Sequence, residues 1–148
     1  MCKLATTITC SSNLLQQLIK KHTDKNAIVI PDPYDIEEYE PTVIGKNIFW
    51  FGHTANHSSL KPYLNLPNLN ICTKKMPGVI EWTPENELEE LKKTSMVLLT
   101  SNNIFASSNR IVKSLRAGKF VITPNTDVLE WNNFKNFIWQ GNVEEGIE

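Results

Sequence analysis

Long apolar runs are missing from this chain, and none approaches the length that a bilayer-spanning helix needs. Cysteine is scarce. Cys2, Cys10 and Cys72 form an odd set without CxxC spacing, which argues against a disulfide framework and a structural zinc site and fits free thiols in a reducing compartment. The opening residues, MCKLATTITC, lack the apolar centre of a secretory signal, so the expected location is cytoplasmic. An excess of charge of one sign is missing too. With a formal net charge of −1, no sequence-wide attraction to nucleic acid is expected. Neither GxSxG nor GxGxxG occurs, which removes the signatures of a nucleophile-elbow hydrolase and of dinucleotide binding. The carboxylates of Asp32, Asp35, Glu37, Glu38 and Glu40 lie between Pro31 and Pro41 without the glycine of a calcium loop. They read as a solvated acidic loop, and no metal is expected.

What is present is ordinary globular composition, 41% hydrophobic and 21% charged over 148 residues. A chain of this size can bury a real core, removing roughly 68–70% of its unfolded surface from water. The most informative stretch runs from Met96 to Thr123. MVLLT is a short continuous apolar run, as expected of a strand buried on both faces of a parallel sheet. SNNIFASS follows as a loop. Ser107 or Ser108 suits a helix N-cap, because its hydroxyl can accept from a free amide of the first turn. Ile111, Val112 and Leu115 then repeat at helical spacing, and Gly118 is placed to close the helix in a left-handed conformation. Phe120 to Thr123 is the next strand. The loop leaves the carboxyl end of a strand and enters a helix, the place where open parallel sheets hold ligands. Ser107, Ser108, Asn109 and Arg110, with the loop amides, are therefore candidates for binding an anion, most naturally phosphate. The alternative at this point is that Ser108 only caps and Arg110 lies solvated.

The rest of the chain alternates strand and helix. LATTIT (Leu4–Thr9) reads as a strand, Ser11 or Ser12 as a cap, Leu14 to Ile19 as an amphipathic helix, and AIVI (Ala27–Ile30) as a strand stopped by Pro31. NIFWF (Asn47–Phe51) is a strongly apolar strand ended by Gly52, where the backbone can approach a ligand. His53 to Ser59 reads as a polar loop with His53 as a possible ligand contact, and Leu60 to Leu64 as a turn of helix limited by Pro62. LNICT (Leu69–Thr73) and VIEW (Val79–Trp82) read as strands. The lysine pairs, Lys74–Lys75 among them, read as solvated faces. Thr83-Pro84-Glu85 is a strong helix start, with Leu88 and Leu91 as the buried stripe. FIWQ (Phe137–Gln140) is the last strand, and Asn142 caps a helix beginning at Val143. The alternation predicts an α/β fold, a doubly wound parallel sheet with helices on both faces.

The order of these elements resembles the donor-binding, C-terminal half of a GT-B glycosyltransferase of the retaining group-1 kind. TTITCSSNLLQQLIKKH through VIPDPYD is similar to the family's strand–helix–strand at the domain junction, and NIFWFG to the first strand of its nucleotide domain. TPENELEELKKTSMVLLTS, SSNRIVKSLRAGKFVI and FIWQGNVEEGI resemble its later signatures in the same order. The resemblance implies residues 1–35 as the tail of a preceding half, 36–46 as an acidic, proline-rich linker and 47–148 as a Rossmann-like donor domain. It implies transfer of a sugar from a nucleoside diphosphate sugar to a saccharide or lipid acceptor, as in polysaccharide biosynthesis, with no separate cofactor. The diphosphate would lie against Ser107, Ser108, Asn109 and Arg110. Further donor contacts would come from Gly52, His53, Thr54, Lys74, Ser101 and Lys113. The family's ribose-binding glutamate falls at Lys113, which cannot accept those hydrogen bonds, and its upstream acid falls near Phe105. The implied partners are the donor, the acceptor, and a missing acceptor half or partner chain, without which this stretch would be inactive. A non-catalytic nucleotide- or partner-binding module on the same scaffold is the alternative.

Overall fold

The computed structural model describes residues 4–30, 46–104, 106–125 and 127–148. The expected proline-rich linker lies outside the described residues, apart from Lys46, and so does Phe105. The chain divides into two compact units, Met1–Tyr34 and Asp35–Glu148.

The first unit is one strand–helix–strand. Strand β1 (Thr9–Cys10) pairs in parallel with β2 (Ile28–Val29), and helix α1 (Asn13–Thr23) connects them. Ser12 is the cap, its hydroxyl accepting from Leu15 N at 3.1 Å. Asp24 ends the helix in the left-handed conformation. Both strands are shorter than LATTIT and AIVI suggest, and β1 begins later. Propensity alone does not make a strand: Leu4 is 93% exposed, and only Thr9 and Cys10 meet a partner.

The second unit is built on a six-stranded sheet in which every pairing is parallel. Its strands are β3 (Ile48–Phe51), β4 (Leu69–Thr73), β5 (Ile80–Glu81), β6 (Met96–Leu98), β7 (Phe120–Thr123) and β8 (Trp139–Gln140). Between them run α2 (His57–Leu60), α3 (Pro84–Lys93) and α4 (Asn109–Arg116), and α5 (Val143–Ile147) follows β8. The spatial order is β5-β4-β3-β6-β7-β8. The chain winds outward from β3 through β4 to β5, then returns to the other side of β3 and winds outward again. This is the doubly wound, Rossmann-like order, and its switch point lies between β3 and β6.

All four residues of β3 are buried, as a central parallel strand requires. Phe49 and Phe51 face a core with Leu91 of α3, Ile111 of α4 and Trp131. Ile48 and Trp50 face the opposite core with Leu60 of α2 and Val143 of α5. Helices therefore cover both faces. Thr83 caps α3 through Asn86 N at 3.1 Å, with Pro84 in the first turn. The buried residues of α3 are Glu87 and Leu91, and Leu88 is only half-buried. The segment expected to be a loop before Leu60 is already helical from Thr54, because His53 Nδ1 accepts from Ala55 N at 3.2 Å and caps the turn. No helix among the described residues is long and apolar enough to cross a membrane.

Candidate functional site

At the switch point the ends of β3 and β6 part. Ladder pairing between them stops at Phe49 and Val97. Gly52 N donates to Cys72 O of β4 and Leu99 N to Ile122 O of β7. Successive residues of a strand turn their polar groups to opposite sides, so Phe51 O and Thr100 O face the gap. Arg110 fills it. Its Nη1 donates to Phe51 O at 3.0 Å and its Nη2 to Thr100 O at 2.9 Å. The guanidinium carbon lies 5.9 Å from the centre of the Trp131 ring. Burial pushes the guanidinium down to about 10, and the charge of Glu87 pulls the other way. Arg110, expected at the surface of the α4 entrance, is thus turned inward and ties two strand ends together.

The other residues of that entrance are also used by the chain. Ser107 Oγ accepts from Asn109 N at 3.1 Å, and Ser107 O accepts from Trp131 Nε1 at 3.0 Å. Ser108 occupies the N-cap position without a side-chain capping bond, so of the two serines it is Ser107 that serves a helix amide. Ser101 is buried. Its N–H and carbonyl are clamped by the side-chain amide of Asn125, at 3.0 and 3.1 Å. Lys113 reaches Glu87 at 2.7 Å, with both side chains largely buried. Above the gap, Asn102 Nδ2 donates to Ala55 O at 3.1 Å and to Ser58 Oγ at 2.5 Å, joining the loops that follow β6 and β3.

Beside the switch point, at the carboxyl ends of β3, β4 and β5, a cleft of about 350 Å³ remains open. Gly52, His53, Thr54, Lys74, Lys75 and Trp82 line it. Four of the residues expected to touch a ligand therefore meet in one place, and Ser101, Ser107 to Arg110 and Lys113 are not among its lining. No family model matches this chain, no curated protein matches it and no solved structure matches it. The cleft is thus judged on its own chemistry.

Ala55 N can only donate, so His53 Nδ1 is the lone-pair nitrogen and Nε2 carries the proton. Lys74 Nζ sits 4.9 Å from the centre of the Trp82 ring, a cation–π contact. Trp82 is itself oriented: its Nε1 donates to Glu87 Oε2 at 2.5 Å, and Glu87 holds Lys113 with its other oxygen. Thr73 donates to Gly52 O at 2.8 Å and is bonded to His57 Nε2 at 2.9 Å, which fixes the floor behind Gly52. Gly52 is needed there. A Cβ would meet Arg110 Nη1 and two carbons of Trp50, all at 3.0 Å. A larger groove of about 440 Å³ lies between Pro62–Pro67 and Gly141–Glu144, but its lining includes no lysine, arginine or histidine. Among the described residues no group of His, Cys, Asp or Glu is placed to hold a metal ion.

Lys75 and Trp82 are the cleft residues that sequence reading did not single out. Lys75 adjoins Lys74, and Trp82 directly follows β5. Position just past a strand end was the available signal for both.

Proposed function

We propose that the second unit binds the nucleoside diphosphate part of a sugar donor and serves as the donor-binding half of a glycosyltransferase. The observation that carries this reading is the conjunction of the β5-β4-β3-β6-β7-β8 order with a basic cleft at the carboxyl ends of its strands. Doubly wound sheets hold ligands outside the carboxyl ends of their strands at the switch point, and this cleft adjoins that point. The cleft combines an aromatic wall with a backbone that approaches closely at Gly52. In this reading its cations offset the charge that develops on the departing diphosphate. The acceptor, a saccharide or a lipid, is presented by a companion half or partner chain. The resemblance drawn from the sequence supports the same assignment.

A second reading is a non-catalytic nucleotide- or partner-binding module. One observation favours it: Lys113 stands where the resembled family carries its ribose-binding glutamate, and it is engaged with Glu87.

The test is a titration of UDP, GDP, ADP and CMP, and of their common sugar conjugates, into the isotopically labelled chain at millimolar concentration. One nucleotide is expected to give saturable amide shifts at Gly52, His53 and Thr54. A folded spectrum that responds to none of them would sink the donor reading.

A further inference from the structure

The proposed function leaves open which side chains hold the phosphates. We infer that the anion sits in the β3–β5 cleft on Lys74, Lys75 and His53 Nε2–H, and not on Arg110 and the α4 entrance. The inference rests on the reading that this unit binds a phosphorylated ligand.

At the α4 entrance the guanidinium and the first helical amide are already engaged. Arg110 gives one N–H to each of two carbonyls, and Asn109 N goes to Ser107 Oγ. Moving the guanidinium outward to an anion would strip two strand ends of their hydrogen bonds, a cost comparable to the gain. The cleft is the reverse case. Lys75 has no hydrogen bond or ion pair among the described residues, and Lys74 has only its contact with Trp82. His53 Nδ1 is tied to Ala55 N, which leaves Nε2–H facing away from its own backbone. No carboxylate belongs to the lining. Behind the Trp82 wall, the acid that Trp82 contacts, Glu87, is paired with Lys113.

Lys75 adds a second, independent sign. It is one of three non-glycine residues with positive φ among the described residues, at 59°. A lysine in that conformation is held against its own preference, and such residues concentrate at binding sites. The turn places two consecutive lysines at the same cleft, where a strand would have sent them to opposite faces. Two ammonium groups and one imidazole N–H suit a diphosphate or a terminal phosphate better than a single carboxylate.

The experiment titrates inorganic pyrophosphate into the labelled full chain. Shifts should centre on Gly52, Thr54 and the Trp82 indole N–H, with those at Asn109 to Ile111 smaller. Lys75→Ala and Lys74→Ala should each weaken pyrophosphate binding by roughly tenfold. Lys61→Ala, which removes a lysine outside the cleft, should leave it unchanged. Shifts confined to residues 107–111, with unaltered affinity in the lysine variants, overturn the inference and leave the phosphate-binding reading standing. Equal losses in Lys61→Ala and Lys75→Ala overturn it in favour of diffuse attraction. No saturable response to pyrophosphate also overturns it, and the nucleotide panel then decides the wider reading by itself.

Discussion

Two neighbouring places at the carboxyl edge of the sheet meet opposite fates. Between β3 and β6, where strand order reverses, the chain fills the gap with its own arginine and bridges the top with Asn102. Between β3 and β5, where the strands remain in sequence, it leaves a cleft edged by lysines. Gly52 separates the two, with Arg110 behind it and the cleft in front. The contrast teaches that a cation's location near a strand end does not define its role. What distinguishes these two places is that backbone acceptors have claimed Arg110, whereas Lys75 lines an open cleft.

The comparison is broken most directly at Arg110. Arg110→Ala leaves two buried carbonyls without donors and opens a void beside Trp131, so a loss of about 3–5 kcal/mol is expected in urea unfolding. Stability unchanged within error would return Arg110 to the list of ligand contacts. Gly52→Ala is the next largest. Its methyl group must displace Arg110 Nη1 or Trp50, at a cost of about 1–3 kcal/mol, and its effect should be less than additive with that of Arg110→Ala, which removes one of the clashing groups. Full additivity in the double variant would show that the two sites are independent. Lys75→Gly has the smallest expected effect. Relief of the left-handed lysine should raise stability by about 1 kcal/mol or less, measured as a small increase in melting temperature, while pyrophosphate affinity falls. A destabilised Lys75→Gly would mean that the side chain has a packing role.

Much of this fold is legible in the sequence. LNICT and FVIT coincide with β4 and β7 to the residue, because buried parallel strands are short, apolar and closed by polar turns. The caps at Ser12, Thr83 and Asn142 follow from local chemistry that needs no knowledge of the tertiary fold. Gly118 is left-handed as its position implies. The candidate site is only half legible. Gly52, His53, Thr54 and Lys74 gather because they follow strand ends, which the strand–helix rhythm reveals. The destination of Arg110 is invisible locally. Its acceptors lie 59 and 10 residues away, and their need for donors arises only when β3 and β6 diverge. The partner of Lys113 is likewise hidden, since nothing in ENELEELKK marks Glu87 as the acid that turns inward. Two aromatics near the end of the sequence also divide in a way it does not mark: Trp131 is fully buried, whereas Phe137 is 68% exposed.

Gly52 has one more consequence. Only the thickness of a peptide lies between the guanidinium of Arg110 and the floor of the cleft. Burial has left that guanidinium poorly solvated, so its field is weakly screened in that direction. An anion resting in front of Gly52 would add to the counter-charge that Glu87 already supplies to Arg110, without touching it. Anion occupancy and the firmness of the β3–β6 seam would then be thermodynamically coupled: an anion in the cleft would tighten the seam behind it, and loosening the seam would weaken the hold on the anion.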